Sequence, residues 1–173
     1  EPDRLVEVGK CAVADYGEAL RLTPNSATAY FNRGLALRAK GEPDRALADF
    51  DQAIRLDPKL AAAYNSRRLV WADKGNPERA IADYGEAIRL DPNNAAAHNN
   101  RGNALRAKGD DRALADLDRA ILLDPKMATA FNNRGLLLYG RRQYARAIAD
   151  FSEALRLDPN DARAYNNRGN ALY

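Results

Sequence analysis

Asparagine recurs in this chain at positions where a helix does not ordinarily carry it. The stretch AYNNRGNAL at residues 164–172 has close copies: AYFNRGLAL at 29–37, AYNSRRLVW at 63–71, AHNNRGNAL at 97–105 and AFNNRGLLL at 130–138. A carboxamide carries both donors and an acceptor, so it can pair with a peptide backbone whatever the side chains of that peptide are. Asparagine and glycine are poor helix formers, so their repeated presence needs a reason.

Few residues of the chain are suited to catalysis or to metal binding. The chain has one histidine, His98, and one cysteine, Cys11. A catalytic or metal site needs several converging titratable groups, and neither residue has a suitable companion in the sequence. His98 takes the place of a packing aromatic residue, and Cys11 can serve as a small filler. We therefore predict no catalytic residue, no metal site and no cofactor.

Charge and hydropathy exclude further classes. The 173 residues carry a net charge of +3, with acidic and basic residues interspersed, which does not indicate a nucleic-acid partner. No run of about 18 apolar residues predicts a membrane span. No signal-peptide pattern opens the chain, so a cytoplasmic location is favoured although the compartment is unknown. The chain begins at Glu1 without methionine, from which we expect a piece of a longer protein.

A repeat organises the whole sequence. The prolines of the Asp-Pro and Thr-Pro turns fall at 24, 58, 92, 125 and 159, so the gaps are 34, 34, 33 and 34 residues. Apolar residues inside each unit follow helical spacing, as Ala46, Phe50 and Ala53 do. Each unit accommodates two helices, and no strand pattern appears. The prediction is an all-α array of antiparallel helix hairpins.

Turn residues predict where these helices begin and end. The first helix should run over about 28–40 and end at Gly41, and the second should start near Pro43-Asp44 and stop before Asp57-Pro58. The third unit lacks the turn proline and is one residue short, with GDDRA at 109–113. We expect a tighter turn there.

These features resemble the tetratricopeptide repeat (TPR) family over essentially the whole chain. The resemblance rests on the period, the glycine and the leucine or tryptophan three residues after it, the alanine–aromatic–alanine pattern and the closing Asp-Pro. It implies a right-handed superhelical solenoid of antiparallel helix hairpins, forming a single array over 1–173. The predicted division is a truncated repeat 1–26, full repeats 27–60, 61–94, 95–127 and 128–161, and a half repeat 162–173.

In that family the first helices line a concave groove, and the asparagines map onto it. An asparagine ladder there looks like the repeats of the O-linked N-acetylglucosamine transferases, matched by Asn32, Asn100, Asn133 and Asn167, with Ser66 interrupting. The candidate peptide-binding residues are Asn32, Asn65, Asn99, Asn100, Asn103, Arg106, Asn132, Asn133, Asn166, Asn167 and Asn170.

The resemblance therefore implies a non-catalytic scaffold that binds an extended peptide or protein segment of about a dozen residues. The basic residues of a carboxylate clamp are largely missing, so no strong preference for an acidic C-terminal tail is expected. Two alternatives remain open. The asparagines could be solvated residues inherited by duplication, or the chain could be the recognition arm of a larger enzyme, like that of the O-linked N-acetylglucosamine transferases.

Glycine, arginine and aspartate also recur at fixed places. Gly34 and its equivalents should let the second helix approach, whereas Arg68 at that place should splay the helices or extend outward. One arginine and one aspartate per unit predict a recurring bridge between helices, with a basic stripe for an anionic partner as the alternative. The residues are Arg33, Arg67, Arg101, Arg134 and Arg168, and Asp15, Asp49, Asp83, Asp116 and Asp150.

The two ends carry incomplete repeats. Residues 9–23 are predicted to form a second helix after an incomplete first helix, and residues 162–173 a first helix with no second helix following. We expect exposed apolar surface at Tyr16 and Leu20 and at Tyr165 and Leu172. Head-to-tail self-association through these ends is a third hypothesis.

Overall fold

The structure is a computed structural model that describes the backbone of residues 2–173 and the side chains of residues 11–173. Residue 1 and the side chains of residues 2–10, which fall in the predicted truncated repeat 1–26, lie outside the described residues. All regular secondary structure within residues 2–173 is helical, so the all-α prediction is confirmed. The described helices are α1 Pro2–Leu22, α2 Ala27–Ala39, α3 Pro43–Leu56, α4 Ala61–Asp73, α5 Pro77–Leu90, α6 Ala95–Ala107, α7 Ala113–Leu123, α8 Ala128–Gly140, α9 Tyr144–Leu157 and α10 Ala162–Leu172.

The helices group into two compact units. Unit 1 is Glu1–Leu90 and contains α1 to α5, and unit 2 is Asp91–Tyr173 and contains α6 to α10. Within each unit, consecutive helices pack as hairpins: α2 with α3, α4 with α5, α6 with α7, and α8 with α9. The first helices of successive hairpins also touch, α2 with α4 in unit 1, and α8 with α6 and α10 in unit 2. This is the solenoid arrangement of helix hairpins that the repeat predicts.

The predicted turn signals act as expected in the first complete hairpin. Gly41 follows the end of α2 with φ of 77°, a left-handed conformation that only glycine adopts without strain. Pro43 is the first residue of α3, where its missing N–H has no partner to lose. Asp57 is extended, and Pro58 follows it, so α3 stops there.

The turn between α6 and α7 is longer than expected, not tighter. Residues 108–112 separate these helices, against residues 40–42 between α2 and α3. The carboxylate of Asp110 accepts the backbone N–H of Arg112 at 3.0 Å and its guanidinium at 2.8 Å. These hydrogen bonds lower the pKa of Asp110 to about 2. No proline starts α7, and the Asp110 side chain stabilises a turn over the residues before it. The helix therefore begins only at Ala113.

Glycine in the first helices allows close packing against the second helices. A Cβ built on Gly34 would lie 2.7 Å from the Phe50 ring, and one on Gly135 would lie 2.6 Å from the Phe151 ring. Both rings are fully buried. The predicted role of glycine is confirmed in these hairpins. Gly169 on α10 differs, because no atom lies within 4 Å of a Cβ there.

Arg68 occupies the equivalent of these glycines, is half-buried and packs on the second helix of its hairpin. Its guanidinium lies 4.6 Å from the centre of the Tyr84 ring and donates to the Tyr84 hydroxyl at 2.9 Å. The side chain of Arg68 also donates to the Asn65 carboxamide oxygen at 3.2 Å. Arg68 is therefore accommodated between α4 and α5, with its cation on the aromatic face of Tyr84.

The N-terminal end differs from its prediction in two ways. α1 is continuous from Pro2 to Leu22, so the backbone does not divide into an incomplete first helix and a second helix. Leu20 is only 7% exposed, so its expected exposure is wrong. The reason is that α1 packs against α2 and buries this position. Tyr16 is half-buried.

Candidate functional site

The asparagines of the first helices differ widely in exposure. Asn99 is 7% exposed, whereas Asn166 and Asn170 are exposed. The remaining members are half-buried: Asn32, Asn65, Asn100, Asn103, Asn132, Asn133 and Asn167. We call the surface that these residues form on α6, α8 and α10 of unit 2 the asparagine face; Asn32 and Asn65 lie on α2 and α4 of unit 1.

In unit 2 these carboxamides bond to one another across helices. Asn133 on α8 donates from Nδ2 to the Oδ1 of Asn99 on α6 at 2.9 Å. Asn167 on α10 donates to the Oδ1 of Asn132 on α8, also at 2.9 Å. Each first helix of unit 2 carries two adjacent asparagines. The second asparagine on one helix donates to the first asparagine on the preceding first helix. These bonds were not predicted from the sequence, although the bonded residues are 34 and 35 positions apart, which is about one repeat.

The bonded carboxamides keep part of their hydrogen-bonding capacity. Asn133 and Asn167 each use one N–H in these bonds, which leaves the other N–H and the oxygen of each carboxamide. Asn100 accepts from Asn99 at 3.2 Å and keeps its own donors. Because two helices hold each bonded side chain, its orientation is restricted before any ligand arrives.

Arginine–aspartate bridges join the two helices of each complete hairpin. Arg33 donates from Nε and Nη2 to the two carboxylate oxygens of Asp49, both at 2.7 Å. Arg134 holds Asp150 in the same way at 2.8 and 2.7 Å. These hydrogen bonds raise the pKa of Arg134 although burial opposes the shift. The bridge prediction is confirmed in these hairpins and also in Arg67–Asp83 and Arg101–Asp116.

His98 fills the structural place of a tyrosine. Its Nε2 lies 3.3 Å from the carbonyl oxygen of Pro92, and the Tyr64 hydroxyl makes the equivalent bond to Pro58 at 3.3 Å. Its Nδ1 lies 3.1 Å from Asp116 Oδ1. His98 is buried among these groups, which is the packing role the sequence predicts.

A cavity recurs beside the turn of a hairpin, where the next first helix packs. The unit 1 turn pocket has a volume of about 510 Å³ and is lined by Leu35, Arg38, Ala39, Gly41, Pro43, Val70 and Asp73. The unit 2 turn pocket has a volume of about 370 Å³ and is lined by Arg106, Gly109, Asp110, Asp111, Leu136, Leu137, Gly140 and Arg141. A third cavity of about 400 Å³ is lined by Tyr139, Tyr144, Asn170, Ala171, Leu172 and Tyr173.

Other functional groups are sparse in the described part of the chain. Cys11 is exposed and forms no disulfide. Residues 11–173 contain no group of three or more His, Cys, Asp and Glu side chains that could hold a metal ion. None of the described helices has the length and apolar character needed to cross a membrane.

Comparison with solved structures gives many matches of the same architecture. YrrB, described as a TPR protein with an unusual peptide-binding site, is 25% identical, with a TM-score of 0.84 over 95% of this chain and 85% of YrrB. PilF of Pseudomonas aeruginosa is 28% identical, with a TM-score of 0.71 over 85% of this chain and 68% of PilF. A MamA fragment from Desulfovibrio magneticus RS-1 is 24% identical, with a TM-score of 0.77 over 84% of this chain and 82% of the fragment.

Sequence comparison identifies the family over most of the chain. No curated protein matches significantly. Three tetratricopeptide repeat profiles do match, one at residues 101–168, one at 11–41 and 70–109, and one at 27–60. Together with the hairpin architecture, these matches show that the chain belongs to the tetratricopeptide repeat family.

Proposed function

We propose that this protein is a non-catalytic scaffold that binds an extended protein segment on its asparagine face. The observation that carries the proposal is the row of carboxamides linked from helix to helix in unit 2. After Asn133 has bonded to Asn99, it keeps one donor and one acceptor. A peptide unit offers one acceptor and one donor in return.

The spacing of the helices fits an extended ligand. Neighbouring packed helices lie about 8–10 Å apart, and an extended chain advances about 3.3 Å per residue. One carboxamide contact for every third peptide residue is therefore possible. Restriction of the side chains before binding lowers the entropy cost of holding such a ligand. The peptide-binding site described for YrrB supports the choice of a peptide as ligand.

The test is capture of a randomised pool of dodecapeptides, acetylated and amidated at their ends, by the chain and by an Asn100→Ala, Asn133→Ala double variant. We expect the chain to bind members of the pool and the double variant to lose at least tenfold in affinity. Asn160→Ala is the matched control, because Asn160 is exposed in the turn before α10 and lies off the asparagine face.

Circular dichroism separates this role from a purely structural one. If Asn133 only links helices, the double variant melts earlier but binds the pool as the unmodified chain does. That result, or no capture by the unmodified chain, would contradict the proposal.

A second proposal concerns the helix α10, where specific observations favour a partner helix. Gly169 has open space where its equivalents Gly34, Gly102 and Gly135 meet an aromatic or leucine side chain. Tyr165 and Leu172 are 49% and 67% exposed. Among the described residues Arg168 donates a side-chain hydrogen bond only to Ser152, whereas its equivalents hold an aspartate. Asp15 on α1 is exposed and precedes Tyr16, as Asp150 precedes Phe151. We propose that α1 of one copy completes a hairpin with α10 of another.

Sedimentation over a range of concentrations tests this assembly. We expect the mean mass to rise with concentration, and Gly169→Leu to abolish the rise by filling the open space. Gly140→Leu is a control, because it also has open space but lies at the end of α8. A constant monomer mass up to millimolar concentration would exclude the assembly.

A further inference from the structure

The two turn pockets occupy equivalent places but differ in charge. In unit 1 the Nη2 of Arg38 lies 3.7 Å from the Oδ2 of Asp73, so the arginine has a carboxylate partner. Arg106 is the equivalent arginine in unit 2, and Gly140 stands where Asp73 stands in unit 1. The unit 2 pocket therefore keeps the cation but has lost the anion that accompanies it in unit 1.

The other acidic residues of the unit 2 pocket do not replace Asp73. Asp110 pairs with Arg112 at 2.8 Å, and Asp111 pairs with Arg141 at 2.6 Å. Arg106 itself donates from Nε and Nη2 to the neutral carboxamide oxygen of Asn103, at 3.2 and 3.0 Å. Within the described residues, its positive charge has no carboxylate partner.

Apolar side chains border this charge. Leu137 is 8% exposed and Leu136 is half-buried, and both line the pocket together with Arg106. A partly apolar wall excludes water from one side of a bound group, which strengthens a charge-assisted hydrogen bond. The pocket thus fits a carboxylate attached to, or followed by, an apolar group.

The pocket is continuous with the asparagine face. Asn99, Asn103 and Arg106 follow helical spacing on α6, and Asn103 bonds directly to Arg106. Seven residues of helix between Asn99 and Arg106 rise about 10 Å, the length of about three residues of an extended peptide. A peptide backbone held at Asn133, whose carboxamide bonds to Asn99, can therefore place a nearby side chain beside Arg106.

We propose that the unit 2 turn pocket binds an aspartate or glutamate side chain of the peptide segment, next to an apolar residue that packs on Leu136 and Leu137. The inference rests on the proposed peptide-binding function and adds a specificity to it. Arg106 is the specificity-determining residue. The unit 1 pocket does not share this preference, because Asp73 already neutralises Arg38.

Two peptide pools test the preference. Both are randomised dodecapeptides with acetylated and amidated ends; one has Glu-Leu fixed at its centre and the other has Gln-Leu. Fluorescence anisotropy should show at least threefold tighter binding of the Glu-Leu pool, and the difference should shrink between 50 and 300 mM salt, as screening requires. A third pool, with Gln-Leu and a free C-terminal carboxylate, separates a terminal carboxylate from an acidic side chain.

Matched variants locate the preference. Arg106→Gln should remove it, and so should Gly140→Asp, which restores the carboxylate found in unit 1; a Cβ at Gly140 meets no neighbouring atom within 4 Å. Arg38→Gln should leave it unchanged. Asp73→Gly should create a second acidic preference by freeing Arg38. Asn160→Ala, which lies off the asparagine face, should leave both the preference and the binding of the Gln-Leu pool unchanged.

The outcomes separate this inference from the function beneath it. Equal binding of the Glu-Leu and Gln-Leu pools, or a Glu-Leu preference that survives Arg106→Gln, overturns the acidic pocket but leaves peptide binding standing. A preference confined to the pool with free carboxyl ends also overturns it. Failure to bind any pool overturns both the inference and the proposed function.

Discussion

The hairpins α4/α5 and α8/α9 have the same helix lengths, but each carries an unfavourable residue in a different place, one in its interior and the other in its turn. In α8/α9 the interior is close-packed, with Gly135 against the buried Phe151, while the turn places Arg142 at φ of 59°. In α4/α5 the turn has glycine at the equivalent position, Gly75 at φ of 67°, while the interior must accommodate Arg68. A helix hairpin of this kind therefore tolerates a poor residue in its interior or in its turn, because the remaining contacts hold the pair together.

The largest expected effect is in the interior of α8/α9. Phe151→Ala should lower the free energy of unfolding by about 3–5 kcal/mol, because the fully buried ring leaves a cavity. Tyr84→Ala should cost less, since Tyr84 is half-buried and partly covered by Arg68. Urea denaturation of both variants measures the difference. Equal costs would mean that the two interiors are packed alike.

The arginine–aspartate bridge is common to both hairpins and should not distinguish them. Asp150→Ala leaves the half-buried Arg134 without its main partner, and we expect a loss of about 1.5–3 kcal/mol, in the range of charge-assisted hydrogen bonds. Asp83→Ala should cost a similar amount through Arg67. Thermal denaturation of the two variants makes the comparison, and a loss at one site only would contradict a shared role.

Glycine replacement separates close packing from helix propensity. Gly135→Ala puts a methyl group against the Phe151 ring and should destabilise by about 1–2 kcal/mol, since overpacking exceeds the gain in helix propensity. Gly169→Ala meets open space and should stabilise by about 0.5–1 kcal/mol. Urea midpoints that move in the same direction for both variants would refute the packing explanation.

An effect as small as that of Gly169→Ala is expected in the turn of α8/α9. Arg142→Gly should raise the free energy of unfolding by about 0.5–1 kcal/mol, because a left-handed conformation strains a residue that has a Cβ. The reverse change, Gly75→Ala in α4/α5, should lower it by a similar amount. Differential scanning calorimetry resolves both shifts if the two variants are compared with the unmodified chain.

The spacing of residue types along the chain predicted most of the fold, because the helix ends and the close helix contacts depend on local chemistry. The helix-ending Gly41, the helix-starting Pro43 and the glycines facing Phe50 and Phe151 follow from backbone conformation and side-chain volume, which residue type specifies. The expectation at residues 109–113 failed because a side-chain bond from Asp110 competes with the start of a helix.

The asparagine residues were identified from sequence, but their partners were not. Sequence indicates that Asn99 and Asn133 occupy similar places in successive repeats; the distance between their carboxamides depends on how closely α6 and α8 pack. The same holds for Arg106, whose uncompensated charge is visible only when Gly140 is placed beside it and Asp111 is found on Arg141.

By itself, the sequence determined the all-α repeat, the boundaries of α2 and α3 and the pairing of arginine with aspartate, because periodicity and turn chemistry act within a few residues or recur in every unit. Tertiary structure alone decided that Leu20 is buried, that Arg68 lies on Tyr84 and that the carboxamides of unit 2 bond to one another. Those outcomes depend on distances between side chains on different helices, which packing sets and spacing along the chain does not.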